Sequence, residues 1–98
     1  MKARLLFDRR IAMSERAFAE LVLWEVPQSV RGSAHSYKYR LAFVTNGVCV
    51  LRYDNEAGKG NHVHISGQEQ PYRFTGPDRL VADFFADVRN WLNANRDT

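Results

Sequence analysis

Apolar and polar residues alternate along most of this chain, and the period changes once, near the C-terminal end. Residues 3 to 11, ARLLFDRRI, are compatible with a strand, and Met13-Ser14-Glu15-Arg16 forms a short polar connection. From Ala17 to Val26, Phe18, Val22, Trp24 and Val26 share one parity and Ala19, Leu21 and Leu23 the other, so both faces of this segment are partly covered. Phe18, Leu21, Val22 and Glu25 also have helical spacing, but the β-rich run LVLWEV and the stop at Pro27 decide for a strand. Residues 27 to 36 are turn formers and read as the longest irregular connection. Tyr37 to Val44 alternates again, with Tyr37, Tyr39, Leu41 and Phe43 against Lys38, Arg40 and Ala42, which predicts a half-buried strand. Asn46-Gly47 joins it to VCVLRYD, and both residues accept positive φ cheaply, so the two strands pair antiparallel around a tight turn.

Beyond a glycine-bearing loop, His62-Val63-His64-Ile65 predicts a short strand closed by Ser66-Gly67, which Pro71 to Phe74 can extend. The period then shifts. Thr75 is a candidate cap, Pro77 suits a first helical turn and Asp78 favours the positive end of the helix dipole. Leu80, Val81, Phe84, Phe85, Val88, Trp91 and Leu92 follow at three- and four-residue spacing and give the helix one aromatic-rich stripe. The stretch from Asn93 to Thr98 is expected to fray. The fold class expected is α+β: an antiparallel meander of about four or five strands with a C-terminal helix packed on one face. The other face is then left for a partner or a site.

Composition adds bounds. At 98 residues, with 45% apolar content, the chain suits one domain over residues 1 to 98 with a single modest core. A formal charge of +3 tilts the expected partner toward something acidic, such as RNA, DNA or an acidic protein, although charges on a small domain are often only a solvated face. The lone cysteine, Cys49, lies in the apolar run VCVL and is expected to pack as a small hydrophobe, which fits a reducing, cytoplasmic setting. MKARLLFDRR is too short in apolar residues for a signal peptide, and no run is long enough for a membrane span.

Candidate chemistry concentrates in YDNEAGKGNHVH, residues 53 to 64. On a strand with a rise of ~3.3 Å per residue, His62 and His64 project from one face roughly 7 Å apart. One neutral and one protonated imidazole can serve as base and acid near neutral pH, and RNA carries its own nucleophile in the 2′-hydroxyl. Lys59, between Gly58 and Gly60, and Arg52 are then cations for the phosphate, with Tyr53, Asp54 and Asn55 as orienting groups. Arg40 and Lys38 extend the cationic surface, and Tyr37 and Tyr39 beside them allow base stacking. An H-x-H pair also begins many zinc sites, but Cys49, Asp54, His35 and Glu69 offer further ligands at no recognisable spacing. A third reading has the same polar residues only stitching a loop by hydrogen bonds to the backbone. Glu15, Glu20 and Glu25 read as solvated, His35 as an exposed loop residue, and Trp24 and Trp91 as core or interface anchors.

The stretch YKYRLAFVTNGVCVLRYDNEAGKGNHVHISGQEQPYRF and the helix DRLVADFFADVRNWL resemble the TumE family of toxin–antitoxin toxins. The shared features are the YKYR strand, YDN followed by GKG and H-x-H, the glutamate and YRF, and the phenylalanine-rich helix. The resemblance implies a bacterial toxin encoded beside a helix-turn-helix antitoxin and acting on RNA, with Tyr53, Asp54, Asn55, Lys59, His62 and His64 as its site. The reading taken is a metal-independent endoribonuclease without a cofactor, with a cognate antitoxin and RNA as partners, no membrane contact, and a homodimer as an open option. The alternative is a non-catalytic module that binds nucleic acid or a DNA-binding regulator.

Overall fold

The computed structural model describes residues 2–33, 35–55 and 58–95. Six strands follow in chain order: β1 (Arg4–Ala12), β2 (Ala17–Glu25), β3 (Tyr37–Thr45), β4 (Val48–Asp54), β5 (His62–Ile65) and β6 (Gln68–Pro71), then helix α1 (Pro77–Ala94). They form one sheet in the order β1-β2-β3-β4-β5-β6, every neighbouring pair antiparallel. This is the expected α+β meander with a helix, longer by a strand or two. The extra strand is β6: Ser66 and Gly67, with φ of 49° and 84°, turn the chain back and pair His64 with Glu69. All four β6 residues are exposed, so no apolar alternation marks it.

Strand alternation sorts the side chains onto two faces. Ala17, Ala19, Leu21 and Leu23 of β2, Tyr39, Leu41 and Phe43 of β3, Leu51 and Tyr53 of β4 and Val63 of β5 are buried on one face. Leu80, Phe84 and Val88 of α1 pack against them, and Trp91 meets Phe43 edge to face with centroids 5.6 Å apart. Complete burial of a leucine or phenylalanine contributes about 1.5–3 kcal/mol, so this layer holds the helix to the sheet. No helix among the described residues is long and apolar enough to cross a membrane.

Several local expectations need correcting. Thr75 does not cap the helix; Gly76 stands at the N-cap with φ 149°, a backbone that favours glycine, and Pro77 takes the first helical turn. The helix runs on through Asn93 and Ala94, so those two belong to it; residues 96–98 lie outside the described residues. Cys49 is exposed, not packed. Phe43 pairs with Leu51 but Val44 with Cys49, and this bulge turns Val50 toward the core and Cys49 away from it. His35 is half-buried: its ring stacks on Phe74 with centroids 3.9 Å apart, Nδ1 accepts from the Tyr37 amide, and Nε2 contacts Asn61 Oδ1 at 2.7 Å.

Candidate functional site

The register of β3 to β6 lays two cross-strand rows across the face opposite the helix. One row runs Arg40, Asp54, His62, Pro71; the next runs Ala42, Arg52, His64, Glu69. Adjacent strands are separated by about 4.8 Å, so neighbours in a row touch. Arg52 Nε lies 2.9 Å from Asp54 Oδ2, Asp54 Oδ1 lies 2.5 Å from His62 Nε2, and His64 Nε2 lies 3.0 Å from Glu69 Oε2. The two imidazole rings meet edge to face with centroids 4.8 Å apart.

Burial separates the two histidines. His62 is 3% exposed and its Nδ1 donates to the Gly60 carbonyl at 3.0 Å, whereas the His64 side chain keeps 26% of its surface open. Arg52 Nε, Asp54 Oδ1, His62 Nε2 and His64 Nε2 are buried atoms that lie at contact distance from a polar partner yet have no aligned hydrogen bond. Such atoms are uncommon in a folded interior and concentrate where a fold serves something other than its own stability. Here they form one group.

Beside this group lies a shallow groove of about 300 Å³ lined by Lys38, Tyr39, Arg40, Arg52, Asp54 and Asn55. Lys38 and Arg40 are exposed on β3, so three cations border it. Toward β2 a smaller depression continues over Val22, Trp24, Lys38, Tyr39 and Arg40. Trp24 therefore belongs to the open face, not to the helix-side core.

Of the other expected site residues, Tyr53 stands on the opposite face, Asn55 lines the groove with a buried side chain, and Lys59 lies on an exposed turn. Tyr53 shares β4 with Arg52 and Asp54 but has the opposite parity: it faces the helix, is 3% exposed, and its hydroxyl donates to the Asp87 carboxylate. Burial first, and the Asp87 carboxylate next, push its pKa well above that of an ordinary tyrosine, so it stays a donor and is no base. Asn55, 1% exposed, accepts from the Tyr39 amide at 3.0 Å and donates to the Tyr37 carbonyl at 2.7 Å, which is loop stitching of the third kind weighed above. Lys59 sits on an exposed turn, and its flanking glycines answer to the backbone. The Gly58 amide donates to Arg31 O at 2.7 Å, and a Cβ at Gly60 would stand 2.7 Å from the Gly32 carbonyl oxygen. Those glycines let two loops touch; they do not frame a phosphate.

Glu69 and Trp24 are the open-face residues that the sequence placed least well. The signal for Glu69 was the Ser66-Gly67 turn, which sets residue 69 opposite residue 64 once a hairpin is drawn. His35 and Cys49 lie outside the cluster: one ligand atom each from Asp54, His62 and His64 falls within 4.8 Å of the others, and neither of those two joins them.

The family model described as Toxin TumE matches residues 2–92. The chain belongs to the TumE family. That match spans β1 to β6 and nearly all of α1, and so includes both rows of the open face. Membership of a toxin family points to an antitoxin partner. No curated protein and no solved structure matches the chain.

Proposed function

We propose that this TumE-family chain is the toxin of a type II toxin–antitoxin pair and that it cleaves RNA on the open face of its sheet. The observation that carries the reading is the juxtaposition of the groove bordered by Lys38, Arg40 and Arg52 with the buried, unsatisfied polar group of Asp54, His62 and His64. A cationic groove follows a phosphate backbone, and Trp24 at its β2 end offers a face on which a base can stack. Cleavage requires a proton taken from the 2′-hydroxyl and charge stabilised on the phosphate as it develops. Arg52, a third exposed, serves the second need from a fixed position against Asp54.

The two rings do not suit a base and an acid on opposite sides of a phosphodiester. Their centroids are 4.8 Å apart and His62 is enclosed, which leaves no room for a phosphoryl group between them. Substrate reaches the centre from the His64 side, and His62 with Asp54 forms its inner wall.

The antitoxin is assigned to the other end of the sheet. β1 is exposed at every residue but Phe7, and Leu5, Leu6, Ile11 and Met13 present large apolar side chains beside its unpaired edge. A strand from a helix-turn-helix antitoxin can extend the sheet there. A second copy of this chain is the competing occupant, and sedimentation of the isolated protein distinguishes them.

A non-catalytic binding module is the second reading, favoured by the burial of His62. End-labelled cellular RNA incubated with wild type and His64→Ala separates the two. The enzyme reading expects discrete cuts that fall by a factor of about 10² or more in the variant. RNA retained by both proteins but cut by neither overturns it.

A further inference from the structure

The open-face centre has the make-up of a cation site, and each of its groups is fixed by one atom while presenting another. Because a carbonyl oxygen only accepts, the Gly60 contact places the His62 ring proton on Nδ1, and in the neutral ring Nε2 then offers a lone pair. That lone pair meets Asp54 Oδ1 at 2.5 Å, acceptor against acceptor, unless a positive species joins them. Asp54 keeps Oδ1 available because Arg52 engages Oδ2 at 2.9 Å. Glu69, 3.0 Å from His64 Nε2, favours a proton on that nitrogen and leaves Nδ1 as the donor atom of His64. An imidazole whose far nitrogen is held by a carbonyl or a carboxylate is the usual support of a metal ligand.

We infer that Asp54, His62 and His64 bind one divalent transition-metal cation of the zinc class, an inference that rests on the open face being the working site. One ligand atom from each already lies within 4.8 Å of the others. Bonds of roughly 2.0–2.2 Å require tetrahedral ligand atoms to stand about 3.4 Å apart, so cation binding must draw the wider separations in and open the 2.5 Å Asp54–His62 contact. Two imidazoles and one carboxylate favour zinc, cobalt or nickel over magnesium and calcium, which prefer all-oxygen sets. Three protein ligands leave a coordination position open, the pattern of sites that act on substrate. A cation held by these three residues would supply the activation of the attacking oxygen otherwise expected of a free imidazole, and cleavage would then be metal-assisted.

A proton is the rival occupant: an imidazolium at His62 would satisfy the same Asp54 oxygen. Cobalt(II) titrated into chelator-stripped protein distinguishes the two, with visible absorption and calorimetry read together and circular dichroism checking the fold of each variant. The inference expects one equivalent bound with protons released, a tetrahedral visible spectrum, and affinity reduced roughly 100-fold or more in His64→Ala and in Asp54→Asn. Cys49→Ser and His35→Asn should bind as wild type does. Absence of binding, or equal binding in His64→Ala, overturns it. One equivalent bound without RNA cleavage leaves the cation site standing and sinks the ribonuclease reading; cuts that persist in excess chelator keep the ribonuclease reading and overturn the cation's part in cleavage.

Discussion

Tyr53 and Asp54 are neighbours in β4, and each holds a partner across the fold, yet the two pairs sit in different chemistry. Tyr53 points to the helix, where its ring packs edge-on against Tyr72 and Phe84 and its hydroxyl finds Asp87. Asp54 points to the open face, between Arg52 and His62, among buried atoms without aligned hydrogen bonds. Among the described residues the helix face is mostly apolar and its buried polar side chains are paired, as in a layer that stabilises; the open face retains unmet polar demand, as a layer that binds should. One strand thus carries both tasks, divided by parity.

The division can be broken most forcefully from the helix side. Phe84 is fully buried, and Phe84→Ala should cost about 3–5 kcal/mol in urea unfolding, with RNA cleavage lost only in proportion to the unfolded fraction. Tyr53→Phe removes one hydroxyl and leaves Asp87 without its partner; about 1–3 kcal/mol should disappear from the same measurement while the folded protein cuts RNA at the wild-type rate.

Alkaline pH probes the same layer. Burial comes first in raising Tyr39, Tyr53 and Tyr72 above the ordinary tyrosine value, followed by Tyr72 and Asp54 at Tyr39, the Asp87 bond at Tyr53 and the Asp83 bond at Tyr72. The folded state therefore favours the neutral phenol. Its contribution is fully present below the unfolded value of about 10 and is lost as pH rises above it. The melting temperature should hold from pH 8 to about 10 and then fall, less steeply in Tyr53→Phe; a decline beginning near pH 8 would contradict the assignment. The smallest expected effect lies on the open face, where His64→Ala breaks only a partly exposed pair and should change stability by about 0–1 kcal/mol.

Much of this frame was legible in the residues. Alternation gave β2 to β5 within a residue or two, Asn46-Gly47 fixed the β3–β4 hairpin, and the three- and four-residue spacing after Pro77 gave α1 and its buried stripe. β6 escaped because Gln68, Glu69, Gln70 and Pro71 have no apolar face to alternate. His62, His64, Asp54, Arg52, Arg40 and Lys38 share the face the helix leaves open, and of these the sequence alone set only His62 with His64, and Lys38 with Arg40, on a common face. Tyr53 was grouped with them by proximity in the chain, although consecutive strand residues point to opposite faces; Asn55, just past β4, lines the groove but commits its side chain to the backbone of Tyr37 and Tyr39. The roles of Gly58 and Gly60 depend on the loop at Arg31 and Gly32, a contact about 28 residues distant that no local pattern encodes. The bulge that turns Cys49 outward is likewise a property of pairing, not of the run VCVL.

The central claim is that the open face is where this toxin works. Its most direct test is growth arrest after induction of wild type, His64→Ala and Tyr53→Phe in bacteria, with soluble protein and melting temperature measured for each. The account predicts that His64→Ala, folded and abundant, no longer arrests growth, while Tyr53→Phe, less stable, still does so in proportion to its folded amount. Arrest by His64→Ala at the wild-type level, or its loss in folded Tyr53→Phe, would place the activity on the helix face and contradict the account.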